Sequence, residues 1–112
     1  MSKLKLGVPC SGIKEQIEDA EIPCSCEEEA MAIAVGTWLA GKKPILYMQN
    51  SGLCRVVDYA LSLYKPYEIP LPKLILSIRH KPYHHSFCGQ KTRNLLNLME
   101  WENVEIAEQQ IK

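Results

Sequence analysis

Lys43-Pro44-Ile45-Leu46-Tyr47-Met48-Gln49-Asn50-Ser51-Gly52 sets the fold class. The run Lys43–Met48 follows a turn at Gly41 and is continuously apolar after its first residue, the pattern of a strand covered on both faces. The four residues after it are turn formers. Ser51 or Asn50 suits a helix N-cap, and Gly52 permits close backbone approach. Ser51–Tyr64 then places Val56, Val57, Ala60, Leu61 and Tyr64 on one face of an amphipathic helix. A buried strand that turns directly into a helix is half of a βαβ unit.

The rest of the chain repeats that alternation. Lys3–Val8 reads as a strand closed by Pro9, and Ser11–Ala20 as a helix capped by Ser11. Ile22–Ser25 is a brief strand. Glu27–Ala40 is the clearest helix, opening on three acids and stopping at Gly41. Leu71–Ile78 is a strand, Arg79–Phe87 a loop without periodicity, Gly89–Glu100 a helix and Val104–Ala107 a last strand. The pattern predicts one α/β domain over residues 1–112, a three-layer parallel sheet with helices on both faces. Ligands of such sheets sit beyond the carboxyl ends of the strands. That rule selects the loops Pro9–Ser11, Ser25–Glu27, Gln49–Gly52 and Arg79–Gly89.

Composition narrows the function classes. The chain has 112 residues, with 13 Lys and Arg against 13 Asp and Glu. This balance excludes a strongly basic nucleic-acid binder and a polybasic membrane anchor. No apolar run approaches the ~18 residues of a membrane span. The first residues have no long apolar stretch before a cleavage site, so no signal peptide is expected. The five cysteines are odd in number, so reduced thiols in a cytoplasmic setting are expected rather than a disulfide framework.

Four groups of residues have chemical potential. Glu27, Glu28 and Glu29 favour a helix N-terminus for dipole reasons alone. The apolar continuation Ala30–Val35 nevertheless predicts a buried helix, with an early carboxyl pointing inward at a strand end, where it can share a proton with a ligand nitrogen. Gln49-Asn50-Ser51-Gly52 is either ordinary turn chemistry or a cradle of amides and backbone N–H groups; no Gly-Lys-Ser/Thr follows, so it is not a P-loop. Cys24 and Cys26, with Cys10, Cys88, His84 and His85, have no zinc-motif spacing, and no metal site is expected. Arg79, His80, Lys81, His84, His85 and Lys91 form either a solvated loop or a site for a small multiply charged anion, for which Arg offers a planar fork.

At these positions the chain resembles the pyrimidine-binding domain of thiamine diphosphate-dependent enzymes, in particular the sulfopyruvate and phosphonopyruvate decarboxylases. The matching stretches are Gly7-Val8-Pro9-Cys10-Ser11, the run Glu27 to Gly36, and Tyr47-Met48-Gln49-Asn50-Ser51-Gly52-Leu53, with a weaker match at His85, Gly89 and Thr92. The resemblance implies that Glu27 is the acid that hydrogen-bonds the cofactor's pyrimidine nitrogen. In that family the contact promotes the imino tautomer that removes the thiazolium proton, and the cofactor then holds the electrons as carbon dioxide leaves a 2-oxo acid. It further implies Gln49, Asn50, Ser51 and Gly52 as cofactor contacts, and Ser11, Arg79 and His85 as substrate contacts.

Three departures accompany the match. The family turn continues Gly-Leu-Gly, but here Cys54 stands at the last position, which is costly if that position needs positive φ. The domain looks short at both ends, which would leave an open sheet edge. No Gly-Asp-Gly motif followed by Asn-Asn, the diphosphate and magnesium half of the family site, is present. The resemblance therefore implies an alpha-type subunit in a hetero-oligomer, sharing thiamine diphosphate with a beta-type subunit that carries Mg2+, and serving coenzyme M synthesis. A non-catalytic remnant that only binds a partner, and a zinc or redox module built on the cysteines, are the competing expectations.

Overall fold

The computed structural model describes residues 2–8 and 21–108. The expected helix Ser11–Ala20, together with Ser11 and Cys10, lies outside the described residues. Five strands form one parallel sheet: β1 (Lys3–Gly7), β2 (Ile22–Pro23), β3 (Lys43–Gln49), β4 (Lys73–Ile78) and β5 (Val104–Glu108), in spatial order β2-β1-β3-β4-β5. Among the described residues, three α-helices connect them: α1 (Glu27–Leu39), α2 (Leu53–Asp58) and α3 (Ser86–Leu98). The registers Gly7↔Tyr47, Gln49↔Ser77 and Ile78↔Glu108 bring the carboxyl ends of the long strands to one edge.

Strand periodicity decides which side chains meet the helices. Leu6, Leu46, Met48, Leu74, Leu76 and Ile78 are fully buried and share one cluster with Ala30 and Met31 of α1, Val56 of α2 and Leu96 of α3. The alternate residues Ile45, Tyr47 and Ile75 lie outside that cluster but are still buried. Both faces of the central strands are thus dry, which is why β3 and β4 read as unbroken apolar runs. α1 packs on α2, and α2 on α3.

Local chemistry sets the helix limits. α1 ends where Gly41, at φ 83°, lets its N–H reach Trp38 O (3.0 Å) while the Lys42 N–H reaches Thr37 O (3.1 Å). This is the Schellman arrangement that a glycine past the last turn favours. α3 ends the same way without a glycine: Glu100 sits at φ 55°, with its N–H on Asn97 O and the Trp101 N–H on Leu96 O. The single helix expected over Ser51–Tyr64 is a composite, with a tight turn at Asn50–Gly52, then α2, then a π-helical segment Tyr59–Tyr64. Tyr64 is buried there and donates its hydroxyl to Met31 O on α1 (2.6 Å). α3 also begins earlier than the spacing predicted, taking in Ser86 and Phe87 from the expected loop.

Candidate functional site

The carboxyl edge of the sheet is where the interior becomes polar. Five polar residues are buried among the described residues, and four of them, Gln49, Asn50, Ser77 and Thr92, lie at this edge. Buried polar groups are kept only where they are satisfied or used, so their concentration marks the place to examine.

The three acids of α1 have separate roles. Glu29 reaches back over the helix start, its carboxylate accepting the Ser25 N–H (3.2 Å) and hydroxyl (3.0 Å), a local cap. Glu28 faces α2, with Oε1 3.3 Å from Arg55 Nε. That oxygen is enclosed and has no hydrogen-bond partner, so the contact is one of charge rather than of donor geometry. Glu27 lies over the turn that ends β3: a Cβ on Gly52 would stand 2.6 Å from Glu27 Cδ and 3.0 Å from its Oε1. No other residue type lets the carboxyl lie there, which gives Gly52 a specific reason to be glycine. The enclosure of this helix start is partial, with Glu27 and Glu28 half-buried and Glu29 exposed.

Asn50 holds a second position. It is fully buried, its Oδ1 accepts the Arg79 N–H (2.9 Å), and its Nδ2 donates to Thr92 Oγ1 (3.0 Å). Thr92 in turn donates to Cys88 O (2.7 Å), and Cys88 Sγ lies 3.7 Å from Asn50 O. Asn50 therefore ties the end of β3 to the end of β4 and to α3. Gln49 is buried as the last residue of β3, opposite Ser77, whereas Ser51 is exposed.

Beyond β4, Arg79 is half-buried and donates its Nε–H to Lys81 O (2.9 Å). Gly89 lets α3 close over this point, since a Cβ there would come within 2.8 Å of His80 Cε1 and 2.9 Å of Arg79 O. His85 stands at the start of α3, its ring 4.0 Å from that of His84. Partial desolvation, then the charges of His84 and Arg79, hold its imidazole below the ordinary histidine value. Burial likewise pushes the Cys88 thiol up, with Cys54 beside it adding to the effect.

Glu27 thus meets Gly52, Asn50 joins Arg79 to the same turn, and the Arg79 charge is felt at His85. Ser11 lies outside the described residues. Cys54 occupies the first turn of α2 in ordinary right-handed helical backbone, so the cost expected for a replaced glycine does not arise. Among the described residues no three His, Cys, Asp or Glu side chains come together as a metal-binding group, and no helix is long and apolar enough to cross a membrane. The bracing role of Cys88 and the Arg55 contact escaped sequence reasoning. Only the four-residue spacing of Cys88 and Thr92, which puts both on one helix face, hinted at the first.

No family model matches the chain. Curated relatives do. The chain is 40% identical over 81 residues to the sulfopyruvate decarboxylase subunit alpha of Methanocaldococcus jannaschii, a match covering 66% of this chain and 46% of that protein. It is 32% identical over 108 residues to the protein of the same name from Methanothermobacter thermautotrophicus, covering 85% of this chain and 64% of the relative. It is also 35% identical over 112 residues to the phosphonopyruvate decarboxylase of Streptomyces viridochromogenes, covering 88% of this chain and 28% of that enzyme. The chain therefore spans about half to two thirds of the alpha subunits it matches. By sequence it is similar to the sulfopyruvate decarboxylase alpha subunits and to the phosphonopyruvate decarboxylases.

Proposed function

We propose that this chain is the pyrimidine-binding, alpha-type part of a cytoplasmic thiamine diphosphate-dependent decarboxylase, acting on sulfopyruvate to release carbon dioxide and sulfoacetaldehyde for coenzyme M synthesis. The observation that carries the reading is the placement of the Glu27 carboxyl over Gly52, at the edge where α/β sheets bind ligands. A half-buried carboxylate backed by a helix start, beside a turn without a Cβ, suits a flat heterocycle with a ring nitrogen to engage. The donor set thus fits the pyrimidine half of thiamine diphosphate. When bound, that cofactor supplies the electron sink for decarboxylation.

This chain's own residues bind and orient. Glu27 holds a proton against the ring nitrogen, and Gly52 keeps the space for it. Gln49 and Ser51 belong to the same turn in sequence and are assigned to the cofactor with it. Asn50 serves it from behind, because its side-chain oxygen and amide are directed to Arg79 and Thr92. Arg79 and His85 are assigned to the anionic end of the substrate, and the resemblance assigns Ser11 to it as well. The diphosphate and its Mg2+ belong to a beta-type subunit. The relatives named as alpha subunits support that division.

The test is turnover of sulfopyruvate and of phosphonopyruvate by the chain reassembled with a beta-type subunit, for wild type and Glu27→Gln. General acid–base groups contribute ~10²–10⁴-fold. A fall of about 10²-fold or more is expected for Glu27→Gln, and turnover within a few-fold of wild type refutes the assigned role. Faster turnover of phosphonopyruvate would move the substrate to the phosphonate. An inactive complex to which the chain adds no affinity for thiamine diphosphate would mark a binding-only remnant.

A further inference from the structure

The amino edge of the sheet, opposite the candidate site, holds a cavity of about 270 Å³ between the end of α1 and the first residues of β3 and β4. Lys43 opens β3, so the cavity stands roughly 20 Å from the Asn50–Gly52 turn, the length of that strand. Trp38, Pro44, Leu71 and Pro72 give it apolar walls. Pro44 and Pro72 are buried, whereas Trp38 is 38% exposed, a large aromatic that the core does not fully cover. Backbone contacts fix the walls. The Lys42 N–H is bonded to Thr37 O (3.1 Å), the Trp101 indole N–H to Pro72 O (2.8 Å), and the Leu74 N–H to Asn103 O (2.9 Å). With prolines of fixed φ in both strand starts, the shape is set without a ligand.

The charge of the cavity is one-sided. Lys42, Lys43 and Lys73 line it, and no Asp or Glu does. Lys73 is matched by Glu105 at 3.7 Å, but Lys42 and Lys43 enter no ion pair among the described residues. Lysine stems lie along apolar surface and leave their amines at the rim, so the cavity is apolar within and cationic at its mouth. A cation is repelled there. A bare inorganic anion would lose hydration against Trp38 and the prolines without enough hydrogen bonds in return. A flat ring gains by packing on the indole face. The volume falls just below the ~300–1,000 Å³ of pockets for drug-sized ligands, which limits the occupant to a small ring system. We propose that this cavity binds a small aromatic anion, its ring against Trp38 and its carboxylate, sulfonate or phosphate at Lys42 and Lys43. The site is separate from the proposed cofactor cleft and does not depend on that reading.

Titration of the full chain with naphthalene-2-sulfonate, by isothermal calorimetry and by the two tryptophan indole N–H signals in NMR, tests it. Saturable one-site binding with a dissociation constant of about 1 mM or tighter is expected. The indole signal lost in Trp38→Leu should be the one that moves most. Naphthalene-2-methanol, which lacks the charge, and inorganic sulfate, which lacks the ring, should each bind at least about 10-fold more weakly. Lys42→Gln/Lys43→Gln and Trp38→Leu should each weaken the sulfonate by about 5-fold or more, with unchanged circular dichroism. The two lysines are exposed, so the double variant decides the matter even if Trp38→Leu does not fold. Lys81→Gln, at the other end of the sheet, should bind as wild type does. Absence of saturable binding, or affinity within two-fold of wild type in the lysine double variant, overturns the site. Equal affinity for the neutral alcohol overturns the anion, and equal affinity for sulfate overturns the ring.

Discussion

Replacing Asn50 by alanine removes the side chain that holds the carboxyl edge together, and the cost can be worked from its contacts. The Arg79 N–H loses its acceptor at 2.9 Å, and Thr92 Oγ1 loses the donor at 3.0 Å but still donates to Cys88 O. Stranding a backbone donor costs about 1–3 kcal/mol, and losing a net hydrogen bond about 0.5–1.5 kcal/mol. Asn50→Ala is therefore expected to destabilise the chain by about 2–4 kcal/mol, a large share of the ~5–15 kcal/mol typical of a domain. Thermal midpoints should fall by roughly 8–16 °C. Urea titration followed by circular dichroism measures the change, with an unaltered slope showing that the unfolded reference is the same. Thr92→Val supplies the cross-check. Because it strands the Asn50 amide, the two substitutions together should cost less than their sum by about 0.5 kcal/mol or more. A loss under ~0.5 kcal/mol for Asn50→Ala, or strict additivity, refutes the brace and returns Asn50 to a ligand-facing role.

Other substitutions probe separate links. Gly52→Ala should displace the Glu27 carboxyl, because a Cβ would overlap its Cγ and Cδ. The expected result is a ~10²-fold fall in turnover of the reassembled complex, since small misplacements cost that much, with an unchanged circular dichroism spectrum. Near-normal turnover would place Glu27 elsewhere. Burial pushes the Tyr64 hydroxyl above its ordinary value, so the folded state keeps the proton after the unfolded state has lost it. Stability should hold below about pH 10 and decline as pH rises beyond it, and Tyr64→Phe should decline less steeply; parallel profiles would contradict this. Glu100→Gly relieves the positive φ at the end of α3 and forfeits only an exposed Lys65 contact of 3.6 Å. A gain of about 0.5–1 kcal/mol in urea titration is expected.

The fold was largely legible because its signals are local. An apolar run bounded by turn residues can be read from β3 or β4 alone, and Gly41 announces the end of α1 from its own sequence. Parallel order followed from the alternation, since each crossover must be covered by a helix. What the residues could not reveal was anything that depends on two segments meeting. The widened turns at Tyr59–Tyr64 arise where Tyr64 packs against α1, and the early start of α3 arises where Gly89 admits His80 and the Arg79 carbonyl.

The site divides in the same way. Glu27 and the Asn50–Gly52 turn were identified by residue type and order along the chain. Their juxtaposition, 25 positions apart for Glu27 and Gly52, required β3 to lie in the sheet with α1 running back to its amino end. Three adjacent glutamates look equivalent in a string of letters. The helix start separates them by 100° steps, so Glu29 meets Ser25, Glu28 meets Arg55 and Glu27 meets Gly52. Asn50 shows the limit most clearly. A turn-forming amide at a strand end reads as a ligand contact, yet the packing of α3 supplies Thr92 and the end of β4 supplies the Arg79 N–H, so the side chain is directed inward. The sequence determined which residues stand at the carboxyl edge, because strand and helix periodicities are properties of neighbours in the chain. The tertiary structure decided which of them meet one another, because that depends on contacts between segments far apart in the chain.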